Sequence, residues 1–232
     1  MSRLGSWAAE EREKLRGMSF RQAVVYILTY YWLWILGIAF GVWLIAFLTV
    51  HLLAGEPQYR IYAVFANTTA NAGNGSALWE DFCAYDGADS DELKTEFDAK
   101  LYFDYARNKG RGSSYYSAFI ALADSGTLDL ITMESSQLAA LAQSGRLMDL
   151  NDPRCAEIME KYGDRLIWYE PPEDAEQIDP VPVGIDLSDS LLVTRYGLYP
   201  GDCALGMSAQ SERIDAVLAF LQFVLEEGST NA

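Results

Sequence analysis

The sequence WLWILGIAFGVWLIAFLTVHLLA at residues 32–54 is the longest apolar stretch of the chain. Neither this stretch nor the nine residues before it, from Ala23 onward, contain Asp, Glu, Lys or Arg. In a helix that rises about 1.5 Å per residue, its 23 residues extend roughly 34 Å, enough to cross about 30 Å of hydrocarbon. The stretch therefore predicts a transmembrane helix near the start of a chain of 232 residues.

Two other interpretations of this stretch fit less well. A buried core helix rarely stays apolar on every side for more than about 18 residues. A cleaved signal peptide has an apolar region of about 7–15 residues and small residues before the cut, whereas a cut after Ala54 would put Leu52 at a small-residue position. The sequence LLAG at 52–55 resembles the start of a lipoprotein signal, but Glu56 stands where that signal requires Cys. We therefore expect an uncleaved anchor.

The charges around the predicted span give its orientation. Five basic residues precede it, whereas Glu56 follows it directly; the five are Arg3, Arg12, Lys14, Arg16 and Arg21. An excess of Lys and Arg marks the cytoplasmic side, so we expect a plasma-membrane protein with a cytoplasmic N-terminus and an extracellular C-terminal domain. Residues 1–31 are predicted to be a cytoplasmic amphipathic segment along the inner surface, although 19–31 could instead extend the membrane helix.

The part of the chain after the span is strongly acidic. Of 17 basic and 33 acidic residues, 12 and 30 lie after residue 54, a net charge of −18. Such a field excludes nucleic acid and anionic lipid as partners of this part. Cys83, Cys155 and Cys203 also lie here. They would allow one disulfide, in any of three pairings, or remain buried thiols.

Strand and helix patterns alternate after a short linker at 55–60. Strands are predicted at 61–66, 101–105, 128–133, 165–169, 181–185 and 203–207, and helices at 77–85, 115–123, 135–143, 152–162, 188–196 and 213–227. Gly228 is expected to end the last helix, before a tail at 229–232. The alternation predicts a single α/β domain over 61–228, with a mostly parallel sheet and helices on both faces.

Three stretches, taken in order, resemble bacterial extracellular solute-binding proteins of the periplasmic-binding type, which serve ABC importers. They are LDLITMESSQLAALAQSGRLMDLND at 128–152, PVPVGIDLSDS at 180–190 and CALGMSAQSERIDAVLAFLQFVLEE at 203–227. The N-terminal MSFRQAVVYILTYYWLWILG at 18–37 is similar to the start of a group of uncharacterised Gram-positive membrane proteins. These stretches cover most of the chain, and residues 67–115 are covered poorly.

The resemblance implies one lobe of such a receptor. Solute-binding proteins have two lobes, but only about 30 residues separate Asp152 from Val181, fewer than the roughly 50 that a domain needs. The implied function is a non-catalytic binding or accessory module in the cell envelope, with a small solute as a candidate partner. A homodimer could rebuild a two-lobed cleft.

Candidate ligand-binding residues follow from the strand ends, because open parallel sheets bind ligands beyond the carboxyl ends of their strands. The residues at those ends are Asn67, Glu134, Ser135, Ser136, Asp186 and Ser188. The helix start at Ser135 could bind an anionic or hydroxyl group, while Glu134 would favour a polyol or a cation. Each of these residues could instead serve only as a helix cap.

Two further classes of function remain open. A structural or regulatory envelope protein would bind other proteins and no small solute, and Gly37 and Gly41 in the span would permit close helix contact. An enzyme is not expected, because the only histidine, His51, lies at the outer end of the span. No cofactor or metal site is expected either. GNGS at 73–76 lacks the lysine of a phosphate-binding loop, and the acidic loop 86–92 lacks calcium-loop spacing.

Overall fold

The computed structural model describes residues 18–53, 58–87, 93–109, 111–171 and 179–230. The predictions for residues 1–17, for linker residues 55–57, for most of loops 86–92 and 170–180 and for tail residues 231–232 lie outside these residues. The chain divides into two compact units, Met1–Glu56 and Pro57–Ala232. Each unit is described by itself.

The N-terminal unit contains two helices, α1 (Phe20–Tyr30) and α2 (Trp32–Leu53). At the start of α1 the Gln22 side chain reaches back to accept from the backbone N–H of Ser19 at 3.1 Å, as in a capping box. The helical run is interrupted at Tyr31, so α1 is a helix distinct from the apolar one.

Helix α2 is long and apolar enough to cross a membrane. Its Trp32–Thr49 segment has a mean hydropathy of 2.1, and none of it is buried within the protein. A signal sequence near an N-terminus would have the same properties. The apolar helix predicted from residues 32–54 is therefore confirmed as a helix over Trp32–Leu53.

The second unit is a mixed α/β domain around one six-stranded sheet. The strands are β1 (Tyr59–Phe65), β2 (Lys94–Asp98), β3 (Leu130–Met133), β4 (Leu166–Tyr169), β5 (Val181–Asp186) and β6 (Ala204–Met207). Their order across the sheet is β2-β1-β3-β6-β5-β4. The predicted α/β class is confirmed.

The expected mostly parallel sheet is only partly right, because the sheet is mixed. Strand β1 runs parallel to β2 and β3, whereas β6 is antiparallel to both β3 and β5, and β4 is antiparallel to β5. Antiparallel neighbours need no long crossover helix, and β5 is joined to β6 through a helix of a single turn, α8 (Leu191–Thr194). A sequence pattern of alternating elements does not reveal this reversal.

The remaining helices cover both faces of the sheet. They are α3 (Ala77–Asp86), α4 (Tyr105–Asn108), α5 (Ser114–Asp124), α6 (Ser135–Leu141), α7 (Ala156–Tyr162) and α9 (Ile214–Thr230), with 3-10 turns at Ala142–Ser144 and Pro153–Cys155. Side chains of β1 alternate between two cores, as the period of a strand requires. Phe65 packs with Phe82 of α3 and Phe220 of α9, whereas Val64 belongs to the core that holds Phe119 and Leu138.

Several predicted boundaries are wrong. Residues 101–105 form no strand; the second strand is Lys94–Asp98, and Tyr105 begins a helix. The predicted helix 188–196 shrinks to Leu191–Thr194, and α9 continues past Gly228 to Thr230. Leu101, Phe103 and Tyr105 do alternate into the core, which explains why the stretch has the pattern of a strand.

The three cysteines form no disulfide with one another. Cys155 and Cys203 are fully buried thiols, and Cys83 is a half-buried one. Cys155 lies 3.4 Å from the thioether sulfur of Met148. Of the two alternatives that the sequence leaves open, the structure has buried thiols at Cys155 and Cys203.

Candidate binding site at the carboxyl edge of the sheet

One edge of the sheet collects the ends of four strands. β1, β2, β3 and β5 all run toward it, and β6 and β4 begin there. We call it the carboxyl edge. All six residues predicted as ligand-binding end or follow β1, β3 or β5 at this edge, although β6 separates the end of β3 from that of β5.

Asn67, at the end of β1, is occupied by backbone contacts. Its Nδ2 donates to the carbonyl of Phe103 at 2.9 Å, and its Oδ1 accepts from the N–H of Phe103 at 3.0 Å. Its φ of 60° lies in the left-handed region that Asn tolerates better than most residues. Asn67 therefore fixes the segment after β2 against the end of β1.

The residues after β3 meet a carboxylate from the loop before β6. The N–H of Ser135 donates to Asp202 Oδ1 at 3.3 Å, and the Ser135 hydroxyl donates to the same oxygen. Glu134, rather than a serine, is the N-cap residue of α6, and its side chain makes no cap bond. Because the N–H and the hydroxyl of Ser135 already donate to the Asp202 carboxylate, the start of α6 is not suited to binding an anion.

Glu134 and Ser136 present exposed side chains at the same edge. The parallel register of β1 and β3 ends with the pair Phe65 and Thr132, and Glu134 follows two residues beyond it. Together with Asp202, Glu134 makes this stretch of the edge acidic.

Asp186, the last residue of β5, and Ser188, two residues later, bond to each other. Asp186 Oδ1 accepts from the N–H of Ser188 at 3.0 Å and from its hydroxyl at 2.6 Å. Ser188 Oγ in turn accepts from the N–H of Cys203 at 3.4 Å. The pair closes a tight turn and fastens it to β6.

A buried tyrosine holds the ends of β1 and β3 together beneath this edge. The hydroxyl of Tyr199 is 2.9 Å from Thr132 Oγ1 and 3.1 Å from the carbonyl of Ala66. Burial raises the pKa of Tyr199 well above its usual range, so it stays a neutral hydrogen-bonding group. The strand ends are therefore rigid.

A cavity of about 270 Å³ opens at the same edge, between the end of β2 and the loop that follows β1. Its lining residues are Ala70, Asn71, Gly73, Asn74, Glu96, Phe97, Ala99 and Lys100. None of the six residues predicted from the sequence is among them. The sequence signal for this cavity is the loop NAGNGS at 71–76, whose small residues leave space and whose amides supply hydrogen-bonding groups.

The cavity combines opposite charges with amides. Asn71 Oδ1 accepts from the N–H of Gly73 at 3.2 Å, and Asn74 Oδ1 accepts from that of Phe97 at 2.7 Å. Asn71 thus uses its oxygen within the loop and Asn74 uses its oxygen to hold β2, and within the described part of the chain their Nδ2 groups meet no acceptor. Glu96 and Lys100 add one negative and one positive charge.

Outside this cavity the domain contains two buried thiols and many acidic side chains. Among the described residues no three His, Cys, Asp or Glu side chains come together as metal ligands. Burial raises the pKa of the Cys155 thiol to about 11 and that of Cys203 further, which keeps both thiols protonated and poorly nucleophilic. The chemistry available at the carboxyl edge is hydrogen bonding and charge pairing.

Compared with known protein families, with curated proteins and with solved structures, the chain matches none significantly. The α/β domain, its carboxyl edge and the cavity there therefore carry the functional assignment.

Proposed function

We propose that this chain is a membrane-anchored binding or accessory module in the bacterial cell envelope, similar to one lobe of the solute-binding proteins of ABC importers. The observation that carries the proposal is the cavity at the carboxyl edge. Ligands of open α/β sheets bind outside the carboxyl ends of the strands, and this cavity lies between the last residues of β2 and the loop that follows the parallel strand β1.

The membrane part of the proposal is supported by α2 and by the charges before it. The 22 residues of α2 span about 33 Å at 1.5 Å per residue. The excess of Lys and Arg before the helix favours a cytoplasmic N-terminus. The acidic α/β domain would then face the outside of the plasma membrane, where α2 tethers it.

A binding function fits the polar groups at the edge better than a catalytic one. Asn67, Ser135, Asp186 and Ser188 hold loops and strand ends in place through their hydrogen bonds. The cavity is bounded by the 71–76 loop, which hydrogen-bonds to β2, and such a preformed surface lowers the ordering cost of binding.

Thermal unfolding of the full chain in lipid nanodiscs tests this function. Intrinsic fluorescence would be followed with sugars, amino acids, short peptides and divalent cations added separately. A ligand present at one hundred times its Kd adds about 2.7 kcal/mol to the stability of the folded state, which corresponds to a rise of about 5–10 °C in Tm for a domain of this size. Mass photometry of the same sample would show whether binding involves a homodimer.

The second candidate is a structural or regulatory envelope protein that binds other proteins. A groove of about 250 Å³ between α7 and α9 favours it, with Ile158, Ile214 and Leu218 among the lining residues and Arg154 and Glu157 beside them. Unchanged Tm values with every solute class, together with specific crosslinks from this groove to another membrane protein, would replace the first proposal by this one.

A further inference from the structure

The cavity at the carboxyl edge has a wall that the sheet itself holds in place. The N–H of Asn74 donates to the carbonyl of Phe97 at 3.2 Å, while the Asn74 side chain accepts from the N–H of Phe97 at 2.7 Å. Asn74 thus pairs with the outer edge of β2 as a neighbouring strand would. The 71–76 loop is fixed against the strand, and the cavity between them is preformed.

Local contacts hold the rest of the loop. Thr68 Oγ1 accepts from the N–H of Ala70 at 3.2 Å, and Ser76 caps α3 by accepting from the N–H of Trp79 at 3.2 Å. The indole of Trp79 donates to the carbonyl of Thr95 in β2 at 2.9 Å. The Ser76 end of the loop is therefore anchored to β2 through Trp79.

Small residues keep the space open. Ala70, Gly73 and Ala99 lie around it, and a Cβ added at Gly73 would stand 3.5 Å from the nearest atom, the carbonyl oxygen of Phe97. The volume of about 270 Å³ is below the roughly 300–1,000 Å³ that drug-sized ligands occupy. Only a small molecule fits.

The charges of the lining restrict the ligand further. A simple anion would meet Glu96, and a simple cation would meet Lys100, so each would face one like charge. A zwitterion pairs with both. It also has no net charge, so the acidic field of the domain, −18 after residue 54, does not repel it over long range.

We infer that this cavity binds a small zwitterion of the amino acid class. The ligand carboxylate pairs with Lys100 and takes up the Nδ2 groups of Asn71 and Asn74, and the ligand ammonium pairs with Glu96. This inference rests on the proposed binding function and names the ligand class for the same edge.

Calorimetric titration of the full chain in phosphatidylcholine nanodiscs tests it, with glycine, L-alanine, L-serine and L-glutamine as probes. Lactate and ethanolamine serve as matched compounds that lack the ammonium or the carboxylate. We expect at least one amino acid to bind, and the matched compounds to bind at least tenfold more weakly. Lys100→Gln and Glu96→Gln should each weaken binding at least tenfold.

Lys94→Gln is the control, because Lys94 is an exposed lysine of β2 outside the cavity lining, and its substitution should leave the affinity unchanged. Lys100 is also exposed, so its replacement keeps the fold intact. Amino acid binding that is insensitive to both cavity substitutions would overturn the inference and leave the binding function standing. Binding of sugars or cations alone would also overturn the amino acid inference and leave the binding function standing. If no solute of any class binds, both the amino acid inference and the proposed binding function are wrong.

Discussion

Asp129, directly before β3, is a fully buried carboxylate that joins three parts of the domain. It accepts from the N–H of Tyr62 in β1 at 2.7 Å, from the hydroxyl of Ser211 at 2.6 Å and from Nε of Arg213 at 2.9 Å. Ser211 and Arg213 immediately precede α9. One side chain therefore positions the last helix against the central strands.

Substitution Asp129→Asn should lower the free energy of unfolding by about 2–4 kcal/mol, because it leaves the half-buried Arg213 without its charge partner and turns an amide NH₂ toward a donor. Urea unfolding followed by tryptophan fluorescence measures the loss.

Asp124→Asn is the control. Asp124 makes a similar two-point contact with Arg146 but is 54% exposed, so its loss should stay within about 1 kcal/mol. Equal losses would contradict the role assigned to Asp129.

The thiols should differ in reactivity. At pH 8 N-ethylmaleimide should modify Cys83 in the native protein and leave Cys155 and Cys203 unmodified until denaturant is added, because both are fully buried. Raising the pH from 7 to 9 should change little at Cys155, since burial raises its pKa to about 11 and the thiolate stays a minor species. Mass spectrometry of proteolytic peptides would measure the extent of modification at each cysteine. Rapid native modification of Cys203 would disprove the burial.

Helix α6 approaches the sheet closely because two adjacent strands carry glycine beneath it. A Cβ at Gly184 of β5 would lie 2.5 Å from Leu138 Cδ2 and 2.7 Å from the carbonyl oxygen of Leu205, and a Cβ at Gly206 of β6 would lie 2.8 Å from Leu138 Cδ1. The Leu138 side chain fills the space that these two glycines leave.

Gly184→Ala and Gly206→Ala should therefore each destabilise the domain by about 1–3 kcal/mol through overpacking. The loss should be larger at Gly184, where backbone as well as side chain must move. Gly73→Ala provides the comparison, since its new Cβ would be at ordinary contact distance. The Tm values of the three variants test this, and a Gly206→Ala variant as stable as the parent would refute the packing described.

The sequence predicts the elements that have a strong period of their own. The apolar positions of α9 and the buried runs of β1, β3, β5 and β6 locate those elements to within a few residues. The sequence does not predict β2, because KTEFD at Lys94–Asp98 is an edge strand with only two buried residues, Thr95 and Phe97, and therefore has no clear apolar pattern. The apolar alternation at 101–105 is more regular than that of β2. In this stretch, however, the side chain of Asn67 and not a neighbouring strand makes the two hydrogen bonds to the backbone of Phe103.

The sequence leads only as far as the carboxyl edge, because none of the six residues named from it lines the cavity. Strand ends identify the carboxyl edge, but the residues named from them mostly satisfy one another, as Asp186 and Ser188 do. The cavity depends on a long-range pairing between the loop at Asn74 and β2. No local sequence pattern contains that pairing, so Glu96 and Lys100 could not be chosen in advance.

At the scale of the whole molecule, the orientation of the chain is testable. A C-terminal tag should be removed by protease added to intact cells without their wall, whereas an N-terminal tag should be protected, because the Lys and Arg excess precedes α2. N-terminal sequencing of the membrane-bound protein should find residues before Trp32. A mature protein that begins at Gly55 would instead identify α2 as a signal sequence.

The position of β6 in the sheet sets a condition on biosynthesis. β6 hydrogen-bonds to β3 on one side and to β5 on the other, yet it is the last strand in the chain. The ribosome synthesises the chain from its N-terminus. Until Ala204–Met207 has been synthesised, the strands β2-β1-β3 and the strands β5-β4 therefore form two separate half-sheets. Open strand edges of this kind aggregate readily. A nascent chain halted before Ala204 would therefore be a target for chaperones and proteases, and the domain can close only when its synthesis is nearly complete.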